Sequence, residues 1–273
     1  MRLTERDKQV VKAVNDFRVM RQDQLQRLFF PSRSTAQVRL WRLWQHGYLK
    51  RQFLPVIGGI QTSPVLYVLD KRGAELLQND FGYDDEALRW SRSQRFTHQF
   101  LDHTLGLSEI RLAITLSCRE HDWQLKTWLD ENALKADYDK VQVGKRLVAV
   151  LPDAYFVIEV PVGELHFFLE YDRGAEHLRY FKRKMAAYVA YYRSGKCEPR
   201  YATNRIRVLT VNEGGRTGVG RRRVTNLKRV TEEAGGRRRF WFGSLLDVSS
   251  EDILSAAIWQ VAGSADLAPL IAD

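Results

Sequence analysis

Three carboxylates lie close together in the middle of the chain, within segments that are otherwise strongly apolar. Asp153 interrupts one apolar run, and Glu170 and Asp172 end the next. Because side chains two residues apart in a strand point the same way, Glu170 and Asp172 are expected to share a face. A turn at Gly163 would pair the two runs as a hairpin and bring Asp153 towards Glu170. Unpaired buried ions are costly, so these acids need a compensating partner.

Two kinds of partner would compensate these acids. Carboxylate oxygens are hard ligands that suit Mg²⁺ or Mn²⁺, and such an ion could activate water for attack on a phosphodiester. Alternatively, Arg173, Arg179 or Lys184 could neutralise the acids in a structural ion network. The residues by themselves leave these two interpretations evenly balanced.

The basic residues form a second set that could do chemistry. The net charge is +10, and residues 1–52 hold 12 Lys and Arg against 4 Asp and Glu. A second basic block spans residues 216–239, where a solvated surface is an equally good interpretation. An excess of this size favours a polyanionic partner, either nucleic acid or an anionic membrane. No apolar run approaches a spanning helix, and the polar N-terminus lacks a signal-peptide core, so a cytoplasmic protein without a membrane partner is expected.

A helix predicted from Ser34 to about His46 has two segregated faces. The apolar face consists of Ala36, Leu40, Leu43 and Gly47, extended by Trp41 and Trp44. The polar face consists of Thr35, Arg39, Arg42 and His46, with Arg33 just upstream. A recognition helix needs this division, because one side must pack while the other meets phosphates and base edges. The predicted DNA-binding residues are therefore Arg33, Thr35, Arg39 and Arg42, together with Arg221, Arg222 and Arg223 in the second basic block.

Flanking patterns complete a predicted first domain over residues 1–80. Its other elements are a first helix capped by Thr4 with Asp7 at the third position, a short helix Gln24–Phe30, and strands Tyr48–Leu54 and Val65–Leu69 joined by a turn at Gly58 and Gly59. The run "HGYLKRQ", a hairpin and "YVLDKRGAELL" together resemble the winged-helix domains of bacterial regulators and plasmid proteins over residues 4–80. A winged helix used only for protein contacts is the alternative, and it would need an acidic partner.

Residues 81–93 break the periodicity and are predicted to link this domain to a second one, residues 94–273. The predicted order there is helix, three strands, helix, strand, helix, strand and a last helix, which makes the chain α+β or mixed α/β. These elements are Gln94–His121, Trp123–Leu129, Leu147–Ile158, Leu165–Asp172, Glu176–Tyr192, Arg205–Val211, Arg221–Ala234, Phe240–Phe242 and Asp252–Val261.

"PD" on the second of these strands and an acidic pair on the third resemble the restriction-endonuclease-like fold of the PD-(D/E)xK nucleases. The resemblance implies that Asp153 and Glu170 bind Mg²⁺ or Mn²⁺, with Glu109 on the preceding helix as a further ligand. Asp172 stands where the motif has its lysine, and Lys184 on the neighbouring helix is the implied replacement. Asp153, Glu170, Asp172 and Lys184 are therefore the candidate catalytic residues. Loss of the motif lysine equally implies a nuclease fold that binds without cutting.

A winged helix followed by "PDAYFVI…HFFLEYDRGAEHLRYFKRKMAAY" resembles the replication-relaxation family of plasmid and mobile-element proteins over residues 4–245. This implies a role in replication, relaxation or mobilisation of such DNA, with duplex DNA and replication or mobilisation proteins as partners. The favoured hypothesis is a DNA-binding factor whose nuclease-like second domain is degenerate. The alternatives are a Mg²⁺-dependent endonuclease targeted by its winged helix, and a transcriptional repressor. A homodimer at paired half-sites is compatible with the winged helix, although no predicted helix compels one.

Overall fold

The structure of the 273-residue chain is a computed structural model that describes residues 1–53, 64–84, 88, 98–214 and 218–272. Helices and strands are mixed, as predicted, and the chain divides into two compact units, Met1–Leu112 and Ala113–Asp273. No helix in these described ranges is long and apolar enough to cross a membrane.

The described helices are α1 Glu5–Asp16, α2 Gln22–Phe29, α3 Arg33–Gln45, α4 Lys71–Phe81, α5 His98–Glu120, α6 Glu131–Ala136, α7 Leu178–Ser194, α8 Cys197–Tyr201, α9 Gly218–Glu233 and α10 Leu245–Ser250. The described strands are β1 Met20–Arg21, β2 Leu49–Phe53, β3 Val65–Leu69, β4 Gln124–Asp130, β5 Asp139–Val143, β6 Arg146–Val150, β7 Ala154–Val160, β8 Gly163–Asp172, β9 Ile206–Asn212, β10 Phe240–Ser244, β11 Trp259–Val261 and β12 Leu267–Ala268.

The first helix begins with the cap that its sequence predicts. The Thr4 hydroxyl accepts a hydrogen bond from the Asp7 backbone N–H at 3.3 Å, and the Asp7 carboxylate accepts one from the Thr4 backbone N–H at 2.6 Å. This reciprocal pair satisfies two backbone donors that would otherwise lack a partner at the helix start. Val10, Val11 and Val14 then face the core and are fully buried.

The first unit contains a three-stranded antiparallel sheet in the order β1-β3-β2. Strands β2 and β3 were predicted, whereas the segment around Met20 was expected to be only a break between helices. Met20 instead pairs with Tyr67, and both side chains are almost fully buried. A two-residue strand carries no alternating pattern, so packing rather than periodicity identifies it. The predicted turn at Gly58 and Gly59, and most of the predicted linker, lie outside the described residues.

A glycine allows α4 to approach this sheet closely. A β-carbon at Gly73 would lie 2.2 Å from the backbone oxygen of Tyr48 and 2.7 Å from the Leu69 side chain. These distances are far below van der Waals contact, so only glycine fits at this crossing. The docked helix in turn positions the start of β2, because Asp70 N–H donates to the same Tyr48 oxygen.

The second unit is built on a seven-stranded mixed sheet in the order β12-β11-β10-β9-β8-β7-β4. Strands β7 and β8 form the antiparallel hairpin that the turn at Gly163 predicts, with Ala154 opposite Leu169. Strand β8 then pairs in parallel with β9, so Glu170 lies beside Thr210 and Asp172 beside Asn212. Helices α7 and α9 and the β5–β6 hairpin cover one face of this sheet, around Phe168 and Tyr188.

Two predicted elements of the second unit are wrong. The expected continuous strand Leu147–Ile158 is divided into β6 and β7, and β6 pairs with β5 in a separate two-stranded sheet. The break falls at Pro152 and Asp153, because proline cannot donate a ladder hydrogen bond. The "PD" dipeptide therefore precedes its strand rather than lying within it.

The predicted last helix Asp252–Val261 is also absent. Its first part is a turn in which the Asp252 carboxylate accepts from the backbone N–H groups of Leu254 and Ser255. Its second part is β11, where Trp259 is fully buried and Val261 pairs with Trp241. Sheet pairing and burial of a tryptophan therefore override the helical spacing of these apolar residues.

Candidate functional site

Helix α3 buries the apolar residues that its sequence predicts and exposes its two tryptophans. Ala36, Leu40 and Leu43 are fully buried. The prediction that Trp41 and Trp44 extend this face is wrong, since 44% of Trp41 and 40% of Trp44 is exposed. With 3.6 residues per turn, a residue adjacent to a buried one lies about 100° around the helix, which places both rings at or beyond the edge of the packed face.

Arg39 is occupied within the first unit. Its Nε donates to Asp7 Oδ1 at 2.5 Å, and its Nη2 contacts Asp7 Oδ2. The Asp7 side chain is fully buried, so Arg39 supplies the positive charge that this burial requires. Burial opposes ionisation, but the hydrogen bonds from Arg39 and Thr4 lower the pKa of Asp7. Arg39, predicted from the sequence to contact DNA, therefore holds α3 against α1.

The face of α3 that points away from the core is centred on Val38. Val38 is 54% exposed, more than either tryptophan of this helix. Ser34, Trp41 and Gln45 follow the same line at helical spacing, and Arg42 borders it. We call this line, with Arg42, the α3 face. Its apolar members could have been found in the sequence from their spacing relative to Leu40 and Leu43.

Exposed basic side chains lie beside the α3 face, at Arg42, and elsewhere in the first unit. Arg33, Arg42 and Lys50 are exposed, and none of them forms an ion pair within the described ranges. Arg51 on β2 lies over the ring of Trp44 at 5.1 Å and over that of Phe53 at 5.6 Å. A groove of about 560 Å³ separates α2 and α3 from the strands; it is lined by Gln22, Asp23, Gln26, Arg33, Gln37, Arg51, Phe53, Pro64 and Val65. Thr35, also predicted to bind DNA, is exposed and shares a hydrogen bond with the Ser32 hydroxyl.

The second unit brings Asp153 and Glu170 together, as the hairpin predicts. Asp153 N–H donates to Leu169 O at 3.0 Å, and the Asp153 carboxylate accepts from Tyr171 N–H at 2.7 Å. These two bonds bracket Glu170 and place Asp153 opposite it, one step beyond the last strand pair. Glu170 is only 3% exposed. The arrangement therefore places one partly buried and one fully buried acid side by side.

Both oxygens of Glu170 are occupied by neighbours on α7. Lys184 Nζ contacts Oε2, and the Tyr188 hydroxyl donates to Oε1 at 2.5 Å. Burial raises the pKa of Glu170 to about 7; Lys184 opposes this rise and Asp153 adds to it. Burial would lower the pKa of Lys184, but the two carboxylates raise it. Lys184 therefore contacts Glu170, as expected from the sequence, and acts there as the neutralising cation.

The cation that neutralises Asp172 is Arg223, which is not among the basic residues expected from the sequence for this role. Arg223 on α9 donates to both of its oxygens, at 2.7 and 2.8 Å, and Asn212 donates to Oδ2 at 2.7 Å. All three of Arg221, Arg222 and Arg223 were predicted to contact DNA. Arg223 instead binds Asp172, whereas Arg221 and Arg222 are exposed. Arg223 also donates to the backbone oxygen of Glu176, so it joins α9 to the loop before α7.

Glu109, the implied further metal ligand, belongs to the first unit. Its carboxylate accepts from Arg21 at 2.9 Å and from Gln24 at 2.8 Å, and it contacts Arg27. The side chain is 8% exposed. Glu109 therefore anchors α2 to the first half of α5, with a charged or amide donor on each oxygen.

Most of this donor set is already committed to protein partners, which counts against the implied Mg²⁺ or Mn²⁺. Such ions take oxygen ligands with free lone pairs, and they usually retain several waters. Glu170 has a proton donor on each oxygen, Asp172 is held by Arg223, and Glu109 is committed to its own cations. Among the described residues, no group of three or more His, Cys, Asp or Glu side chains could hold a metal ion. The arrangement instead has the features of a neutralised, buried ion network.

Comparison with known protein families gives a match over most of the chain. A family model described as replication-relaxation matches residues 11–208, which is more than half of the chain. No curated protein and no solved structure matches. The matched range includes the α3 face and the three carboxylates Asp153, Glu170 and Asp172, which we call the acidic cluster, and it ends before α9.

Proposed function

Because this chain belongs to the replication-relaxation family, we propose that it binds duplex DNA of plasmids or mobile elements through the α3 face. The observation that carries the proposal is that Arg42 on this face, with Arg33 and Lys50 elsewhere in the first unit, is exposed and has no ion-pair partner within the described ranges. Exposed cations of this kind neutralise phosphates and release counterions on binding. Cations needed for structure, such as Arg39, are by contrast already paired.

The order of elements in the first unit supports this proposal. Helices α2 and α3 follow one another through a short connection, as in a helix-turn-helix, and β2 and β3 follow α3 as an antiparallel pair. In a winged helix, the second helix of the helix-turn-helix lies in the major groove of the DNA, and the strands lie beside the DNA backbone. Here that second helix is α3, whose outward side carries Arg42 and Gln45.

We propose that the second unit has a nuclease-like fold used for binding and assembly rather than for cutting. The adjacent strands β4, β7, β8 and β9, with Asp153 just before β7 and Glu170 on the neighbouring β8, support the nuclease-like assignment. The pairing of Glu170 with Lys184 and of Asp172 with Arg223 supports the absence of cutting, because no acid of the pair Glu170–Asp172 retains an uncommitted oxygen. Exposed Arg221 and Arg222 would give this unit its own contact with DNA.

One observation favours the alternative of a metal-dependent endonuclease. Lys184 contacts Glu170 next to Asp153, and a lysine beside two acids is the set that the PD-(D/E)xK resemblance implies. A transcriptional repressor, the third hypothesis, would share the α3 face but leave the acidic cluster without a part in the function.

A plasmid assay separates these functions. The full chain is incubated with supercoiled plasmid in EDTA, Mg²⁺ or Mn²⁺, and the DNA is examined for retardation and for nicking. We expect retardation in all three conditions, and intact DNA after the protein is removed. Metal-dependent nicking that is lost in both Asp153→Ala and Glu170→Gln would establish the endonuclease instead. Failure to retard the plasmid at low salt would overturn DNA binding itself.

A further inference from the structure

The centre of the α3 face is apolar, although it lies on the surface that we propose meets DNA. Val38 and Trp41 are one helical turn apart and are 54% and 44% exposed. Neither is needed for the core, which Leu40 and Leu43 of the same helix fill. Two large exposed apolar side chains beside Arg42 favour an apolar feature on the partner.

The major groove of DNA offers one such feature at its base edges. Thymine carries a methyl group at C5, and apolar side chains contact it directly. Cytosine has no group there unless it is methylated at the same carbon. The shared chemistry is therefore a pyrimidine C5-methyl group, from either thymine or 5-methylcytosine.

Charge argues against a second copy of the chain as the occupant of this face. Residues 1–52 carry 12 basic against 4 acidic side chains, and Arg33 and Arg42 lie on the same helix as Val38. Two such faces would bring unpaired arginines together, and like charges facing one another across an interface are unfavourable. A duplex offers phosphates to the arginines and methyl groups to the centre.

We propose that Val38 and Trp41 bind pyrimidine C5-methyl groups in the major groove, and so select DNA that carries them at this position. The inference rests on the proposed DNA binding and adds what the α3 face recognises. Arg33 and Arg42 contribute affinity for any sequence, and Val38 and Trp41 contribute the choice between sequences.

Trp44 provides a matched control for Trp41. It belongs to the same helix and is 40% exposed, but its ring lies under the Arg51 guanidinium at 5.1 Å and points towards the β2 side. Removal of Trp44 deletes the same amount of apolar surface without touching the α3 face. Val38, Trp41 and Trp44 are all exposed, so their alanine variants are expected to fold.

The experiment begins with selection of a preferred duplex from a random pool with the full chain. Each thymine of the selected duplex is then replaced singly by deoxyuridine, which removes only the methyl group, and each cytosine by 5-methylcytosine. At one or two positions we expect deoxyuridine to weaken binding by wild-type protein about four-fold, the value of one methyl group. Val38→Ala and Trp41→Ala should lose this sensitivity, and Trp44→Ala should retain it. If 5-methylcytosine strengthens binding and deoxyuridine does not weaken it, the methyl group that is recognised belongs to 5-methylcytosine rather than to thymine.

Several results would overturn the inference. Equal wild-type affinity for every modified duplex would show that no methyl group is read, while leaving the proposed DNA binding intact. A DNA-free dimer that Val38→Asp converts to monomer in sedimentation would assign the α3 face to a second copy of the chain. Absence of any duplex binding would overturn the inference and the proposed function together.

Discussion

Arg39 donates its Nε hydrogen to the buried Asp7 carboxylate across 2.5 Å, and this pair fixes α3 against α1. Its neighbour three residues along, Arg42, forms no ion pair within the described ranges and is exposed. One helix thus carries one arginine that maintains the structure and another that is available to a ligand. We therefore place the proposed DNA contacts on the α3 face around Val38 rather than around Arg39.

Substitution of these two arginines should separate stability from binding. Arg39→Ala leaves Asp7 buried without a cation and should destabilise the protein by about 3 kcal/mol. Arg42→Ala should change stability by less than about 0.5 kcal/mol, because its side chain is exposed. Urea denaturation of the full-length variants measures both effects. Equal stability of the two variants would contradict the structural assignment of Arg39.

The pair Asp172–Arg223 allows the corresponding test in the second unit. Arg223→Ala removes the cation from a carboxylate that is 3% exposed and should destabilise the protein by about 3 kcal/mol. Arg222→Ala, at the adjacent and exposed position, is the control and should be nearly neutral. If Arg223→Ala has the stability of wild type but binds DNA more weakly, Arg223 contacts DNA and is not needed to neutralise Asp172.

Glu170 should make stability depend on pH near neutrality. Burial raises the pKa of Glu170 to about 7 from its usual 4.5, so the folded state holds the proton more tightly than the unfolded chain does. The stability from this residue is therefore present at low pH and is lost as pH rises from about 4.5 to about 7, by roughly 1 to 3 kcal/mol. Glu170→Gln cannot ionise, so its unfolding free energy should fall less over this range. A wild-type profile that matches that of Glu170→Gln would show that Glu170 keeps its ordinary pKa.

Gly73 tests how α4 docks in the first unit. Gly73→Ala would place a β-carbon 2.2 Å from the Tyr48 oxygen, so the helix must shift, at a cost of about 2 kcal/mol or more. Gly82 follows the same helix at φ +70°, with open space around it, so Gly82→Ala meets only the left-handed strain of about 1 kcal/mol. Thermal unfolding should rank Gly73→Ala well below Gly82→Ala. The reverse order would mean that the close approach of Gly73 to Tyr48 is wrong.

Local patterns predict much of this fold. The Thr4–Asp7 cap, the buried face of α3 and the hairpin around Gly163 each depend on residues within about one element of each other. Such features are encoded by spacing and by turn chemistry, which a single sequence displays. The approach of Lys184 to Glu170 also follows, because α7 comes directly after the strand that it covers.

Long-range partners account for what the sequence does not predict. Asp7 and Arg39 are 32 positions apart, and Asp172 and Arg223 are 51 apart. The two arginines are basic like those of a DNA-binding face, and only the folded chain shows that each is already paired with a buried aspartate. The same holds for β11, where burial of Trp259 against the sheet overrides a helical pattern.

The salt dependence of duplex binding tests the central claim most directly. Fluorescence anisotropy with a labelled duplex gives the dissociation constant across a salt series for wild type and for the Arg33→Ala, Arg42→Ala double variant. If both arginines neutralise phosphates, the double variant should bind more weakly, and the slope of log affinity against log salt should become shallower by about 2. Wild-type affinity and slope in the double variant, with stability unchanged, would show that DNA does not bind at the α3 face.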